Sequence, residues 1–144
     1  MDPIIGRGDP DCVRPMDLMK SFMVAYVLGD DDGFLELIHP DALFVFPGSP
    51  KEIPWAGSWR GRDMQRFLDI VKDSLHFLEY RPVEFIQVDD ERVVVRMWEL
   101  VRARSTGITH DNRHIGLATV RGGLVVEWQE YSDTAGQRSL FVEP

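Results

Sequence analysis

The sequence predicts an α+β domain, and three observations carry that prediction. The apolar residues of the first half recur mostly at a helical period of about 3.6, and from residue 80 onward the period is about 2. The two regimes are segregated, whereas a doubly wound sheet would alternate them. Turn residues then punctuate the second half at Asp89-Asp90, around Thr106-Gly107 and at Gly122-Gly123, as in an antiparallel meander.

Each element follows from its own pattern. "MDLMKSFMVAYVLGD" sets Met16, Met19, Met23 and Tyr26 on one helical face with Phe22 and Val27 beside them, and Gly29 ends the helix. "DDDGFLELIHP" predicts a second, short helix stopping at Pro40. "ALFVFPG" reads as a short strand closed by Pro47-Gly48, and "SPKEIPWAGSWRG" as a loop bearing Trp55 and Trp59. "RDMQRFLDIVKDSLHFL" has the strongest helical stripe: Met64, Phe67, Leu68, Val71, Leu75 and Leu78. The strands are then "VEFIQVDD", "RVVVRMWELVRARSTG", "RHIGLATVRGG" and "LVVEWQEYSD". The tail "TAGQRSLF" predicts a last helical turn capped by Asp133.

A chain of 144 residues, 44% hydrophobic and 10% aromatic, suits one domain with a real core. Residues 1–15 read as a flexible arm and 16–144 as the domain. The arm contains Arg7-Gly8-Asp9, a tripeptide of some adhesion proteins, read here as coincidence. With 24 acidic and 16 basic residues the net charge is −8, which disfavours nucleic acid and anionic membranes as partners. No apolar run approaches the roughly 18 residues of a membrane span. The start lacks a signal-peptide pattern, and the single Cys12 fits a reducing compartment, so the expected location is cytoplasmic.

Candidate chemistry concentrates in the strands. In "VVEWQEYSD", Glu127 and Glu130 fall on opposite faces because side chains alternate, so one of them turns away from bulk water if one face is buried. "HDNRH" puts His110 and His114 on one face with Asn112 between them, roughly 13 Å apart along a strand. That spacing is too long for both to hold one ion, so no metal is expected, and no cofactor motif is found. His39, before Pro40-Asp41, reads as a capping group.

The element order, with "YVLGDDDGFLELIHPDALFVFPG", "IPWAGSWRGRDMQRFL" and "GGLVVEWQEYSD", resembles the superfamily of nuclear transport factor 2, ketosteroid isomerase and the SnoaL-like polyketide cyclases. The resemblance covers residues 16 to 141. It implies a cone: a curved antiparallel sheet wrapped around three N-terminal helices, the cystatin-like or nuclear transport factor 2-like fold, enclosing an apolar pocket. By that geometry Met97, Glu99, Val101, His114, Gly116, Trp128, Glu130 and Ser132 look inward. Arg96, Trp98, Leu100, Arg102, Ile115, Leu117, Thr119 and Glu127 look outward. Glu130 is thus the buried acid of the final strand. The convex face, with Trp98, Leu100, Ile115 and Leu117, would form a homodimer.

Three chemistries of the superfamily fit unequally. The tyrosine, base and acid of ketosteroid isomerase correspond to Phe22, Phe46 and Gly116, so that mechanism is excluded. "WELVRARSTG" and "WQEYSD" are similar to limonene-epoxide hydrolase and set Glu99 and Glu130 where its two aspartates stand, but its bridging arginine is Met97 here. A SnoaL-like reading needs the fewest missing parts. Glu130 would be the base, Glu99 the second candidate, and His114 would hydrogen-bond a substrate oxygen. Trp55, Trp59, Phe46, Trp128, Tyr26, Phe22 and Met97 would form the walls around an apolar, oxygenated small molecule. The expected activity is cofactor-independent cyclisation, isomerisation or dehydration, with epoxide hydrolysis and ligand binding without catalysis as alternatives. Glu130 paired to His114 or Tyr26 would instead be structural, and Trp55 and Trp59 would merely cover the core.

Overall fold

The structure is a computed structural model and describes residues 13–142. Cys12, Arg7-Gly8-Asp9 and most of the arm lie outside the described residues. Helix α1 (Pro15–Leu28) opens on a proline whose missing N–H costs nothing there. It ends at Gly29, whose φ of 69° lets Gly29 N and Asp30 N bond back to Tyr26 O and Ala25 O. Asp30 then caps α2 (Asp31–Glu36) by accepting from Gly33 N at 3.0 Å. Strand β1 (Ile38–Phe46), β2 (Gly57–Arg60) and α3 (Met64–Ser74) follow, and then the long strands β3 (Leu75–Gln87), β4 (Arg92–Ala103), β5 (Thr109–Arg121) and β6 (Leu124–Tyr131). Helix α4 (Thr134–Ser139) closes the described chain, with Asp133 capping it through Gly136 N.

The six strands form one sheet in the order β2-β1-β6-β5-β4-β3. It is antiparallel except where β1 runs parallel to β6. Register shifts in β3, between Phe77 and Glu79 and between Pro82 and Glu84, and in β6 at Val126, opposite Thr119 and Val120, bend the sheet. The helices fill the concave side, so the class is α+β with the expected curved sheet. Both edges are blunted: β2 has four residues, and β3 carries Pro82 and a row of charges. The core runs from Met19, Phe22 and Met23 of α1 through Phe34 and Phe44 to Met64, Phe67 and Val71 of α3, against Val95, Val101 and Trp128 of the sheet. No helix among the described residues is long and apolar enough to cross a membrane.

Several local expectations are corrected. The second helix stops at Glu36, and Ile38-His39-Pro40 already belong to β1. Pro40 sits where the pairing with β6 slips between Ile38 and Leu43, the place a residue without an N–H can occupy. His39 caps there, its Nδ1 accepting from Asp41 N at 3.0 Å. The 49–60 loop contains β2, which pairs with β1 from Leu43↔Arg60 to Phe46↔Gly57. The stripe of α3 breaks at Ser74: Leu75 pairs with Ala103 as the first residue of β3, and Leu78, near the bulge, is exposed. Ladder hydrogen bonds override a helical period there. Val27 faces solvent rather than the core, and Thr119, on the outward face, is buried beside the β6 bulge at Val126.

Candidate active site

Strand alternation brings the inward residues together as expected. Met97, Glu99 and Val101 on β4, Asn112, His114 and Gly116 on β5, and Trp128 on β6 are buried, while Glu127 is exposed. Glu130 lines the cavity enclosed by sheet and helices. Gly116 lies opposite Glu130, and a Cβ at Gly116 would overlap the Trp128 ring. The missing side chain is therefore what lets the indole lie across the floor of the cavity. From there Trp128 Nε1–H donates to Glu130 Oε1 at 3.4 Å.

The cavity is about 60 Å³, room for a few waters. Its walls are aromatic: Phe22 lies 4.3 Å from Phe34 and Phe46 stacks 4.3 Å from Phe67, ring centroid to centroid. Trp55 closes one side, edge-on to Phe141 at 5.8 Å. Of the seven wall residues named from the sequence, Phe22, Tyr26, Phe46, Trp55, Met97 and Trp128 line it. Trp59 does not. Its indole donates to Trp55 O at 2.9 Å, its ring packs edge-on against Phe67, and Arg66 covers it at 5.0 Å. It anchors the loop behind Trp55.

The polar groups form one chain across β3, β4 and β5. Asn112 Nδ2 donates to Glu99 Oε1 at 3.0 Å and lies 3.1 Å from His114 Nδ1. On the far side of the imidazole, Nε2 is 3.5 Å from Tyr80 Oη, whose O–H reaches Met97 Sδ at 3.1 Å. His114 Nδ1 lies 4.0 Å from Glu99 Oε1. Glu130 is tied to neither His114 nor Tyr26; the indole N–H is its partner among the described residues. His110 packs elsewhere, beneath α4, 3.9 Å from Asp133 Oδ2.

Burial dominates the electrostatics. It pushes the Glu99 carboxyl up to about 7, with the Asn112 amide pulling the other way. It pushes Glu130 up to about 8, helped by the charge of Glu99 and opposed by the indole N–H. The same burial, with His110 nearby, drops His114 to about 4, so its imidazole is neutral at pH 7. Tyr26 and Tyr80 are held well above their ordinary value by burial first and by surrounding acidic groups second. Two acids in one poorly solvated space titrate as a pair.

Three polar residues escaped sequence reading: Tyr80 and Gln137, which line the cavity, and Asn112, which stands behind Glu99 and His114. Tyr80 pairs with Glu99 across β3 and β4, Asn112 pairs with Glu99 across β4 and β5, and Gln137 of α4 is fixed by Ser132 Oγ donating to its Oε1 at 3.0 Å. Asn112 was detectable, standing two residues before His114 on the inward face. Tyr80 and Gln137 depend on a long-range register and on the packing of α4.

No curated protein matches the sequence. Among solved structures, the chain is similar to a nuclear transport factor 2-like protein of Burkholderia xenovorans LB400, with 27% identity over 88% of this chain and 94% of that one and a TM-score of 0.78. It shares its fold with TerC co-crystallised with polyporic acid, at 22% identity over 88% and 96% and a TM-score of 0.74. It shares it also with a candidate polyketide cyclase of Pseudomonas putida KT2440, at 12% identity over 90% and 99% and a TM-score of 0.71. The model of the SnoaL-like domain matches residues 19–128. With that match spanning both helical layer and sheet, the chain belongs to the SnoaL-like domain family.

Proposed function

We propose that the chain binds an apolar, oxygenated small molecule in this cavity and transforms it by cofactor-independent acid–base chemistry of the cyclase, isomerase or dehydratase kind. The observation that carries the reading is that two carboxyl groups, buried Glu99 and half-buried Glu130, line one aromatic cavity, both pushed up toward neutral pH by those surroundings. A base poised near the working pH and an acid beside it are what proton transfer next to a carbonyl requires. The surroundings favour a division of labour the reverse of the order taken from sequence. Glu99, held by the Asn112 amide, carries the charge and abstracts the proton. Glu130, with one long indole contact, keeps its proton and delivers it to the substrate oxygen. His114, neutral, and Tyr80 offer hydrogen bonds to a bound oxygen. Pockets for drug-sized ligands measure roughly 300–1,000 Å³, so a substrate must displace water and swing part of the aromatic wall, Trp55 and Phe141 foremost.

The test is solvent-deuterium incorporation into bicyclic benzo-fused ketones such as 2-tetralone, followed by NMR at pH 7. Wild type should exchange the α-protons faster than buffer, and Glu99→Gln should slow that by about 10²–10⁴-fold, the usual contribution of a general base. Binding of the ketone without exchange would make the chain a carrier. Consumption of an epoxide probe by wild type but not by Glu130→Gln would move the chemistry to water addition.

A further inference from the structure

We infer that Asn112 is a positioning residue whose carboxamide turns over as Glu99 gains or loses its proton, and that the turn switches the neutral His114 imidazole from one tautomer to the other. The inference rests on Glu99 being the working base, but its geometry is independent of any substrate.

Asn112 is fully buried, and its side chain is half used. The two hydrogens of Nδ2 serve Glu99 Oε1 at 3.0 Å and His114 Nδ1 at 3.1 Å, while Oδ1 is buried with no partner among the described residues. That arrangement suits ionised Glu99 best, because a carboxylate takes the amide N–H as a charge-assisted bond. It also requires His114 to carry its hydrogen on Nε2, which then donates toward Tyr80 Oη at 3.5 Å. Tyr80 O–H is left with Met97 Sδ, a weak acceptor.

Protonation of Glu99 makes the arrangement the poorer of two. A neutral carboxyl can still accept the amide N–H on Oε1, but the charge assistance is lost. Asn112 Oδ1 stays buried without a partner among the described residues although a new O–H donor stands beside it, and an unmade buried hydrogen bond is costly. A half turn about Cβ–Cγ resolves this, because the two ends of the amide differ little in shape. Oδ1 then has two lone pairs for two donors, Glu99 O–H and His114 Nδ1–H. His114 Nε2 becomes an acceptor, and Tyr80 O–H turns from Met97 Sδ to Nε2. The proton balance is one in, taken up by Glu99. The imidazole stays neutral, releasing its Nε2 proton and gaining one at Nδ1 through cavity water.

His114 and Tyr80 both border the cavity, so the switch alters what the wall offers a bound oxygen. With Glu99 charged, the imidazole presents an N–H. Once Glu99 has taken a proton, that nitrogen accepts instead. The titratable groups facing this cluster are Tyr26 of α1, Tyr80 of β3, His110 of β5 and Glu130 of β6. Glu130 is the one that titrates close to Glu99, and a Glu130→Gln background removes it.

The experiment is a titration of the ¹⁵N-labelled protein from pH 5.5 to 8.5, reading the His114 ring nitrogens in long-range ¹H–¹⁵N spectra and the Glu99 carboxyl carbon in parallel. Nδ1 is expected to move from the unprotonated to the protonated range as pH falls, with the same midpoint as the Glu99 carboxyl, in wild type and in Glu130→Gln. In Glu99→Gln the crossover disappears. In Asn112→Leu it disappears as well, and the Glu99 midpoint moves upward because its donor is gone. Should Asn112→Leu fail to fold, the wild-type and Glu99→Gln titrations decide alone. One unchanging His114 tautomer throughout the Glu99 titration of wild type overturns the inference. Absence of ketone exchange bears on the proposed function and leaves these spectra as they are.

Discussion

At the scale of single residues, the decisive quantity is the proton on Glu130. Its carboxyl titrates near 8 in the folded chain, against an ordinary value of 4.5. Below about pH 4.5 folded and unfolded chains are both protonated there, and the contribution to stability is complete. Between 4.5 and 8 the unfolded chain releases the proton and the folded chain keeps it, so stability falls as pH rises, and the loss is complete above 8. Glu99 adds the same dependence over 4.5 to 7. Glu130→Gln cannot ionise and escapes its share. Its melting temperature should match wild type near pH 5 and exceed it at pH 8.5, by an amount on the order of a few kcal/mol in stability. A melting difference that is constant across that range would show that Glu130 is solvated. The double variant with Glu99→Gln should gain less than the sum of the two, because each acid raises the other's cost of ionisation. Glu130 as the inward acid was legible in the sequence, since alternation and family geometry sufficed. Asn112 could be placed on the inward face from its spacing to His114, but that its amide holds Glu99 could not, because the pair is found only once the β4–β5 register is known.

At the scale of elements, two small features hold the site in shape. Gly116 on β5 leaves the space that the Trp128 ring fills. Gly116→Ala should cost about 1–3 kcal/mol, as overpacking does, and should shift tryptophan emission as the indole is pushed into the cavity. An unaltered melt with unaltered emission would mean that β5 and β6 can slide apart. Helix α4 is six residues long and hangs on its cap, so Asp133→Ala should cost about 0.5–2 kcal/mol. It should also loosen Gln137, which a hydrogen-exchange measurement on the α4 amides would detect. The cap, the Gly122-Gly123 hairpin with φ of 58° and 75°, and the inward faces of β4 to β6 were all readable, because each is a local rule or a period. Strand β2, the start of β3 at Leu75 and the parallel β1–β6 pairing were not. Each is fixed by hydrogen bonds to a strand distant in sequence: β2 to β1, Leu75 to Ala103, Phe44 to Trp128. Local periodicity carries no information about those partners.

At the scale of the whole molecule, the remaining question is what covers the convex face. Along β4 and β5 that face alternates Arg96, Trp98, Leu100 with Arg113, Ile115, Leu117, and the cross-strand pairs join them as Arg96↔Ile115, Trp98↔Arg113 and Val94↔Leu117. Its aromatic centre is already ordered: Trp98 Nε1–H donates to Asp111 Oδ1 at 2.7 Å, and the Arg81 guanidinium lies 4.9 Å over the ring. Ile115 is 39% exposed and Tyr131 of β6 is 59% exposed beside it. An apolar stripe bounded by arginines, on a chain whose net charge is −8, is a place where two copies can meet without opposing their acidic surfaces. A two-fold interface built there would place Trp98 of each copy near the centre, where truncations cost most. We therefore expect sedimentation to give a dimer for wild type, and Trp98→Glu, with Ile115→Glu if needed, to give a monomer. Because these side chains point away from the cavity, the monomer should still bind the benzo-fused ketone. Wild type sedimenting at the mass of one chain would reject the convex-face dimer. A monomeric variant that also lost ketone binding would mean instead that pairing of the sheets maintains the curvature on which the cavity depends.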